Sequence, residues 1–218
     1  MSAPAWDAEQ GVWVGARAAG ECAPDPLWIF GYGSLCWKAE FPNQEAVVGR
    51  VRGWRRVFAQ KSADHRGTPD NPGLVATLLT DDQLVKLGLR QTEEPASVTC
   101  GVCYLVSPAD AKAVLDNLDF REKGGYTREV IEFLPSDSAR SPVRALLYSA
   151  TPDNPGFTAD AIADPATAAR IIGTAVGPSG PNRDYLLNLA SWLESVGEDD
   201  PHVNELMSKL PPLESEAE

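Results

Sequence analysis

The order of the apolar runs constrains this chain more than any other feature. Short runs rich in β-branched and apolar residues occur at 27–32, 46–60, 74–79, Val98–Val106, 127–134 and Val143–Ala150. Each is bounded by Gly, Pro, Asn or Asp, the punctuation of strands. One helix interrupts them. Ser107 with Asp110 makes a capping-box pattern, Pro108 stands in the first turn, and Ala111, Val114, Leu115 and Leu118 form one apolar stripe. From Thr158 onward the spacing is helical, with stripes at Leu186, Leu189, Ala190 and Leu193 and at Val203, Leu206, Met207 and Leu210. Strands, a helix, more strands and then helices lack regular βαβ alternation. The pattern predicts an α+β fold with an antiparallel or mixed sheet, possible as a barrel, rather than a doubly wound one.

With 218 residues, 43% of them apolar, the chain is expected to bury one real core. The predicted organisation is a flexible N-terminal extension at 1–26, a domain at 27–210 and an acidic tail at 211–218. A net charge of −12 makes nucleic acid and anionic membrane surfaces poor partners. No apolar run reaches the ~18 residues of a membrane span. The N-terminus has no basic and apolar leader pattern, and it carries Asp7, Glu9 and Glu21. Four cysteines do not make a disulfide framework. A cytoplasmic protein is the expectation. The sequence leaves the oligomeric state open, with a monomer favoured.

Several familiar motifs fail. Cys100-Gly-Val-Cys103 has redox or zinc spacing but lies inside a predicted strand, where positions i and i+3 face opposite ways. Its cysteines are expected to be core or half-buried. The only histidines are His65 and His202, and no G-x-S-x-G is present. Gly31-Tyr-Gly33 lacks the third glycine and the lysine of nucleotide-binding loops. The string Pro-Asp-Asn-Pro-Gly occurs at 69–73 and again at 152–156, and it reads as two turn signals. Arg55 and Arg56 read as one inward and one outward strand residue, solvated or salt-bridged.

Two segments are odd for a merely structural domain. At Phe30-Gly-Tyr-Gly-Ser-Leu35 an apolar strand runs into glycines around an aromatic and a hydroxyl. Such a loop is either a tight turn or a nest of backbone N–H groups that accepts an anionic group. At Asp119-Phe-Arg-Glu-Lys-Gly-Gly-Tyr126 a helix ends in two glycines. There Glu122 is either a carboxylate projecting into a pocket or a surface partner of Arg121 or Lys123.

These residues carry a family resemblance. The chain resembles the ChaC-like, glutathione-specific gamma-glutamylcyclotransferases in four blocks. They are Trp28-Ile-Phe-Gly-Tyr-Gly-Ser-Leu35, Asp64-His-Arg-Gly-Thr-Pro69, Asp119 to Tyr126, and Ala175-Val-Gly-Pro-Ser-Gly180 with Asn182, Tyr185 and Leu186. The resemblance implies a small mixed β-barrel flanked by helices. It implies cleavage of glutathione without water, yielding 5-oxoproline and cysteinylglycine. The family's catalytic glutamate falls on Glu122, and its substrate loop falls on Ile29, Phe30, Gly31, Tyr32, Gly33, Ser34 and Leu35. No metal, nucleotide or flavin is implied.

The residue types suit that chemistry. A carboxylate accepts the proton of the attacking ammonium and returns one to the leaving amine, which calls for a raised pKa at Glu122. N–H groups of the loop serve the oxyanion or the α-carboxylate. Arg66, beside His65, suits the glycine carboxylate of glutathione or else holds its own loop through Asp64. Tyr185 has two readings, a pocket hydroxyl or a core aromatic, and Tyr126 reads as core. Three departures from the family pattern stand out. Pro181 occupies a position where arginine is expected, the connector 80–97 is long, and the extension 1–26 lies outside the resemblance. The connector reads as a surface insertion or a flap. Activity on other gamma-glutamyl compounds, and a non-catalytic binding role, stay open as alternatives.

Overall fold

A computed structural model describes residues 5–7, 12–14, 26–121 and 126–212. Ala5–Asp7 (β1) and Val12–Val14 (β2) pair antiparallel, with Trp6 opposite Trp13. The rest of the expected extension up to residue 25, and the tail from 213, lie outside the described residues. From Pro26 the order is β3 (Leu27–Gly31), β4 (Glu45–Arg52), β5 (Trp54–Ser62), β6 (Gly73–Thr80), α1 (Asp81–Lys86), β7 (Val98–Val106), α2 (Pro108–Arg121), β8 (Tyr126–Pro135) and β9 (Val143–Ala150). Helices α3 (Asp160–Ala163) and α4 (Pro165–Thr174) follow, then a small ribbon of β10 (Val176–Gly177) and β11 (Gly180–Pro181), then α5 (Asn182–Ser195) and α6 (Pro201–Lys209).

Five strands close into a barrel in the order β3-β7-β4-β8-β9. The closing pair, β3 with β9, is parallel and the other pairs are antiparallel, so the barrel is mixed. All five residues of β3 are buried. A strand flanked on both sides and covered on both faces reads as a continuous apolar run rather than an alternating one. The narrow interior is filled by the rings of Phe30 and Phe133, 5.7 Å apart at their centroids. Gly49 and Gly101, paired across β4 and β7, make the room. A Cβ on Gly101 would stand 2.5 Å from the Phe30 ring, and one on Gly49 would stand 2.5 Å from Phe133.

The run expected as one strand at 46–60 is two strands. Gly53, with φ +76°, turns the chain between β4 and β5, a conformation that side chains disfavour. Its N–H donates to Ser97 O at 2.7 Å and its carbonyl accepts from Asp81 N at 3.0 Å. Strand β5 therefore leaves the barrel and pairs with β6 as a separate ribbon. The two copies of the repeated turn string flank the end of β5. Gly73 pairs with Ser62 on one side, and Gly156 O accepts from Lys61 N at 2.8 Å on the other.

The ribbon has two faces. Val57, Ala59 and Leu79 pack with Leu84 of α1 and Ile162 of α3 in a satellite core. Phe58, on the other face, meets Tyr185 of α5 and His202 of α6. The long connector belongs to the satellite side. Thr80 caps α1 in a reciprocal capping box with Gln83. Arg90 then clasps the loop, donating to Ser97 Oγ and to Glu94 O at 2.8 Å each and pairing with Asp81 at 3.2 Å. This is the surface-insertion form of the connector, docked on the ribbon face away from Phe58. No helix among the described residues is long and apolar enough to cross a membrane.

Candidate active site

The glycine loop leaves β3 at one end of the barrel. Tyr32 is buried, and its hydroxyl donates to Tyr148 O at 2.8 Å. Ser34–Cys36 winds into a single 3-10 turn, with Cys36 N donating to Gly33 O at 2.9 Å. The loop folds so tightly that a Cβ on Gly31 would lie 2.5 Å from Leu35 Cβ. Tyr104 of β7 holds its far side, donating its hydroxyl to Leu35 O at 2.6 Å. Among the described residues, the N–H groups of Gly33, Ser34 and Leu35 have no acceptor. The first N–H groups of a helical turn have no partner inside it, so the loop presents a row of donors. Ser34 and Leu35 are half-exposed, whereas the side chains of Ile29 and Phe30 are buried in the barrel.

Three of the singled-out residues meet at Gly33. A Cβ there would stand 2.5 Å from the Tyr185 hydroxyl. Tyr185 is 6% exposed, packed edge-on against Trp37 at 5.3 Å and Phe58 at 5.8 Å. It joins both readings made from sequence, a core ring with its hydroxyl beside the loop. The Arg66 guanidinium stacks over the same ring at 5.8 Å and donates to Pro181 O at 3.1 Å. Pro181 thus takes part through its carbonyl, although the side chain expected at that position is missing. His65 is exposed, with Nδ1 3.4 Å from Ser179 Oγ. The second and fourth blocks touch directly: a Cβ on Gly177 would lie 2.3 Å from His65 O. Asn182 pairs with the main chain of Leu74 through both its amide atoms, at 2.7 and 2.8 Å.

Glu122, the expected proton carrier, lies outside the described residues. The described residues on either side of it are anchored on β9. Asp119, late in α2, accepts from the Tyr148 hydroxyl at 2.8 Å and from Arg128 Nε at 2.9 Å. Tyr126 begins β8 opposite Ala150. Strand β9 is therefore shared: Tyr148 O receives the glycine loop and the Tyr148 side chain receives the end of α2. Glu129, further along β8, has its carboxyl pushed up by burial, with the Ser149 hydroxyl partly opposing the shift.

Sequence reasoning left Arg56 between a solvated and a salt-bridged role. It is 1% exposed, donates Nε to Tyr32 O at 3.0 Å, reaches Cys100 O, and pairs with Asp200. The signal for its burial was its place between Trp54 and Phe58 on alternate positions of one strand face. Cys100 and Cys103 are buried free thiols, as expected. Burial pushes Cys36 up to about 12, Cys100 to about 11 and Cys103 well above its usual value.

A closed mixed barrel with helices packed on it and a donor-rich glycine loop at the end of β3 give an α+β protein of the gamma-glutamylcyclotransferase type. The family model described as ChaC-like protein matches residues 27–211, and the chain belongs to that family. It is 39% identical over 198 residues to Gamma-glutamylcyclotransferase 2-3 of Arabidopsis thaliana, covering 88% of this chain and 92% of that one. It is 39% identical over 176 residues to human Glutathione-specific gamma-glutamylcyclotransferase 1, covering 80% and 72%. A crystal structure of the yeast gamma-glutamyl cyclotransferase specific to glutathione superimposes with a TM-score of 0.74 at 28% identity, covering 85% and 98%.

Proposed function

We propose that this protein degrades glutathione in the cytoplasm by cyclising its gamma-glutamyl group. The α-amine, once it has passed a proton to Glu122, attacks the γ-amide carbonyl carbon. The new C–N bond closes a five-membered ring. The old amide C–N bond breaks, the ring nitrogen gives up its second proton, the leaving nitrogen takes both protons in turn by way of Glu122, and 5-oxoproline and cysteinylglycine, its amine now an ammonium, leave. No water enters the balance. The observation that carries this reading is the row of N–H groups at Gly33, Ser34 and Leu35 that have no acceptor among the described residues, on a loop tied to the same strand as the residues flanking position 122. Those donors suit the oxygen of the attacked carbonyl or the α-carboxylate. Tyr185 and Arg66, stacked beside Gly33, suit the remainder of the peptide, with a guanidinium matched to the glycine carboxylate. Holding the γ-glutamyl chain bent makes the attack intramolecular, which lowers the barrier by several kcal/mol.

The test is 5-oxoproline release from glutathione by the wild type and by Glu122→Gln, with γ-glutamyl-alanine as a second substrate. Gln keeps the shape and cannot take the proton, so turnover falls ~10²-fold or more with folding preserved. Wild-type turnover by the Gln variant removes Glu122 from the role. Equal turnover of γ-glutamyl-alanine would replace glutathione by a broader set of gamma-glutamyl compounds.

A further inference from the structure

Arg56 is the largest of the fully buried side chains, and it is charged. A buried ion pair is weak evidence for stability, because desolvation offsets the attraction, so its placement calls for another account. Its fork spans three elements. Nε holds Tyr32 O of the glycine loop at 3.0 Å, Nη2 holds Cys100 O of β7, and Nη1 pairs with Asp200, whose other oxygen caps α6 by accepting from His202 N and Val203 N. Tyr32 O belongs to the peptide that joins Tyr32 to Gly33. That peptide is trans, since the described backbone has no cis bond, so its C=O and N–H point in opposite directions. Pinning the carbonyl on Arg56 therefore turns the Gly33 N–H away from Arg56, and that N–H has no acceptor among the described residues.

Resting on the cyclotransferase reading, we infer that Arg56 is a positioning residue that aims the Gly33 N–H at the oxygen of the attacked γ-carbonyl. The guanidinium does not itself reach substrate, because its donors are directed at Tyr32 O, Cys100 O and Asp200. What the substrate meets is a neutral dipole of fixed direction. Such a donor is worth more as charge develops on the oxygen than in the ground state, so its loss lowers kcat and leaves KM alone.

The test compares Arg56→Lys, Arg56→Met and Asp200→Asn with wild type for 5-oxoproline release, at a temperature below each variant's unfolding transition. Lysine keeps a cation for Asp200 but lacks the planar fork that reaches Tyr32 O and Cys100 O together. Asparagine retains a cap oxygen for α6 and removes the charge that orients the fork. The expected result is a kcat lowered ~10- to 100-fold in Arg56→Lys, with KM changed less than ~3-fold, and a smaller loss of the same kind in Asp200→Asn. A folded Arg56→Lys with wild-type kcat overturns the role, as does a rise in KM alone. Where the Arg56 variants do not fold, an unchanged kcat in Asp200→Asn overturns it. A silent wild type overturns the cyclotransferase reading and this role together, whereas an active wild type with unaffected variants overturns only this role.

Discussion

The Tyr32 hydroxyl donates to the main-chain oxygen of Tyr148 at 2.8 Å, and the Tyr148 hydroxyl lies 2.8 Å from the Asp119 carboxylate. One residue of β9 thus joins the glycine loop to the helix end that leads to Glu122. Tyr148→Phe keeps the carbonyl and the ring under Arg128 and removes the bond to Asp119. It should cost about 1 kcal/mol in urea unfolding. Turnover should fall ~10-fold, since the loss falls on relative placement more than on the fold.

Gly33 has φ −116° and ψ −128°, and Gly33→Ala adds a Cβ to the glycine loop. Its effect comes from contact with the Tyr185 hydroxyl, 2.5 Å from the added Cβ. Gly33→Ala should lower kcat/KM at least ~10-fold. Adding Tyr185→Phe removes the clashing atom, and the double variant should be no worse than Gly33→Ala alone. A coupling energy of ~1 kcal/mol or more is the expected outcome of the cycle. Strict additivity would show that the two groups do not meet.

His202 accepts the Phe58 N–H on Nε2 at 3.0 Å. Burial pushes its pKa from 6.5 down to about 4, against the pull of Asp200. Between those values the unfolded chain holds a proton that the folded chain does not. This contribution is whole above pH ~6.5 and is lost as pH falls toward ~4. Urea unfolding at pH 5 should show about 2 kcal/mol less stability than at pH 7 from this group. In His202→Gln that difference should shrink by the same amount.

Cys36, Cys100 and Cys103 are buried with thiols pushed up. Iodoacetamide at pH 8 should label them ~10²-fold more slowly than a free thiol, and at the free rate in denaturant. Peptide mass spectrometry reads both. Rapid labelling of Cys100 in the folded protein would contradict its environment.

Arg90 is 6% exposed at the side chain and clasps the connector without touching the glycine loop's cluster. Arg90→Ala should destabilise by ~1–3 kcal/mol and leave kcat/KM within about twofold. A large change in kcat/KM would restore the flap reading of residues 80–97.

Much of this was legible in the sequence where local chemistry acts alone. The bounds of β7 and β9 follow from the prolines and polar residues around them, and α2 follows from its cap and stripe. The break at Gly53 was hidden because apolar alternation continues across it; only a positive φ, which sequence does not display, bends the chain there. Helix α1 was missed although Thr80, Asp81, Asp82 and Gln83 spell an N-terminus. At the site, Gly33, Arg66 and Tyr185 were singled out separately, and their meeting point depends on how the ribbon and α5 pack. Arg56 differs from Arg55 only by strand parity, so its three partners had no sequence signal.

The five barrel strands form their ladders with one another and not with β5 or β6, which reach the barrel main chain through side chains, Arg56 to Cys100 O and Thr77 to Ala150. Residues 63–72, which link those two strands and carry Arg66, can lengthen or change composition without shifting the register of any barrel strand. The linker that bears Arg66 thus lies outside the ladder from which the glycine loop springs, so the surroundings of the Tyr185 ring can vary between relatives while the ring of strands beneath that loop is inherited intact.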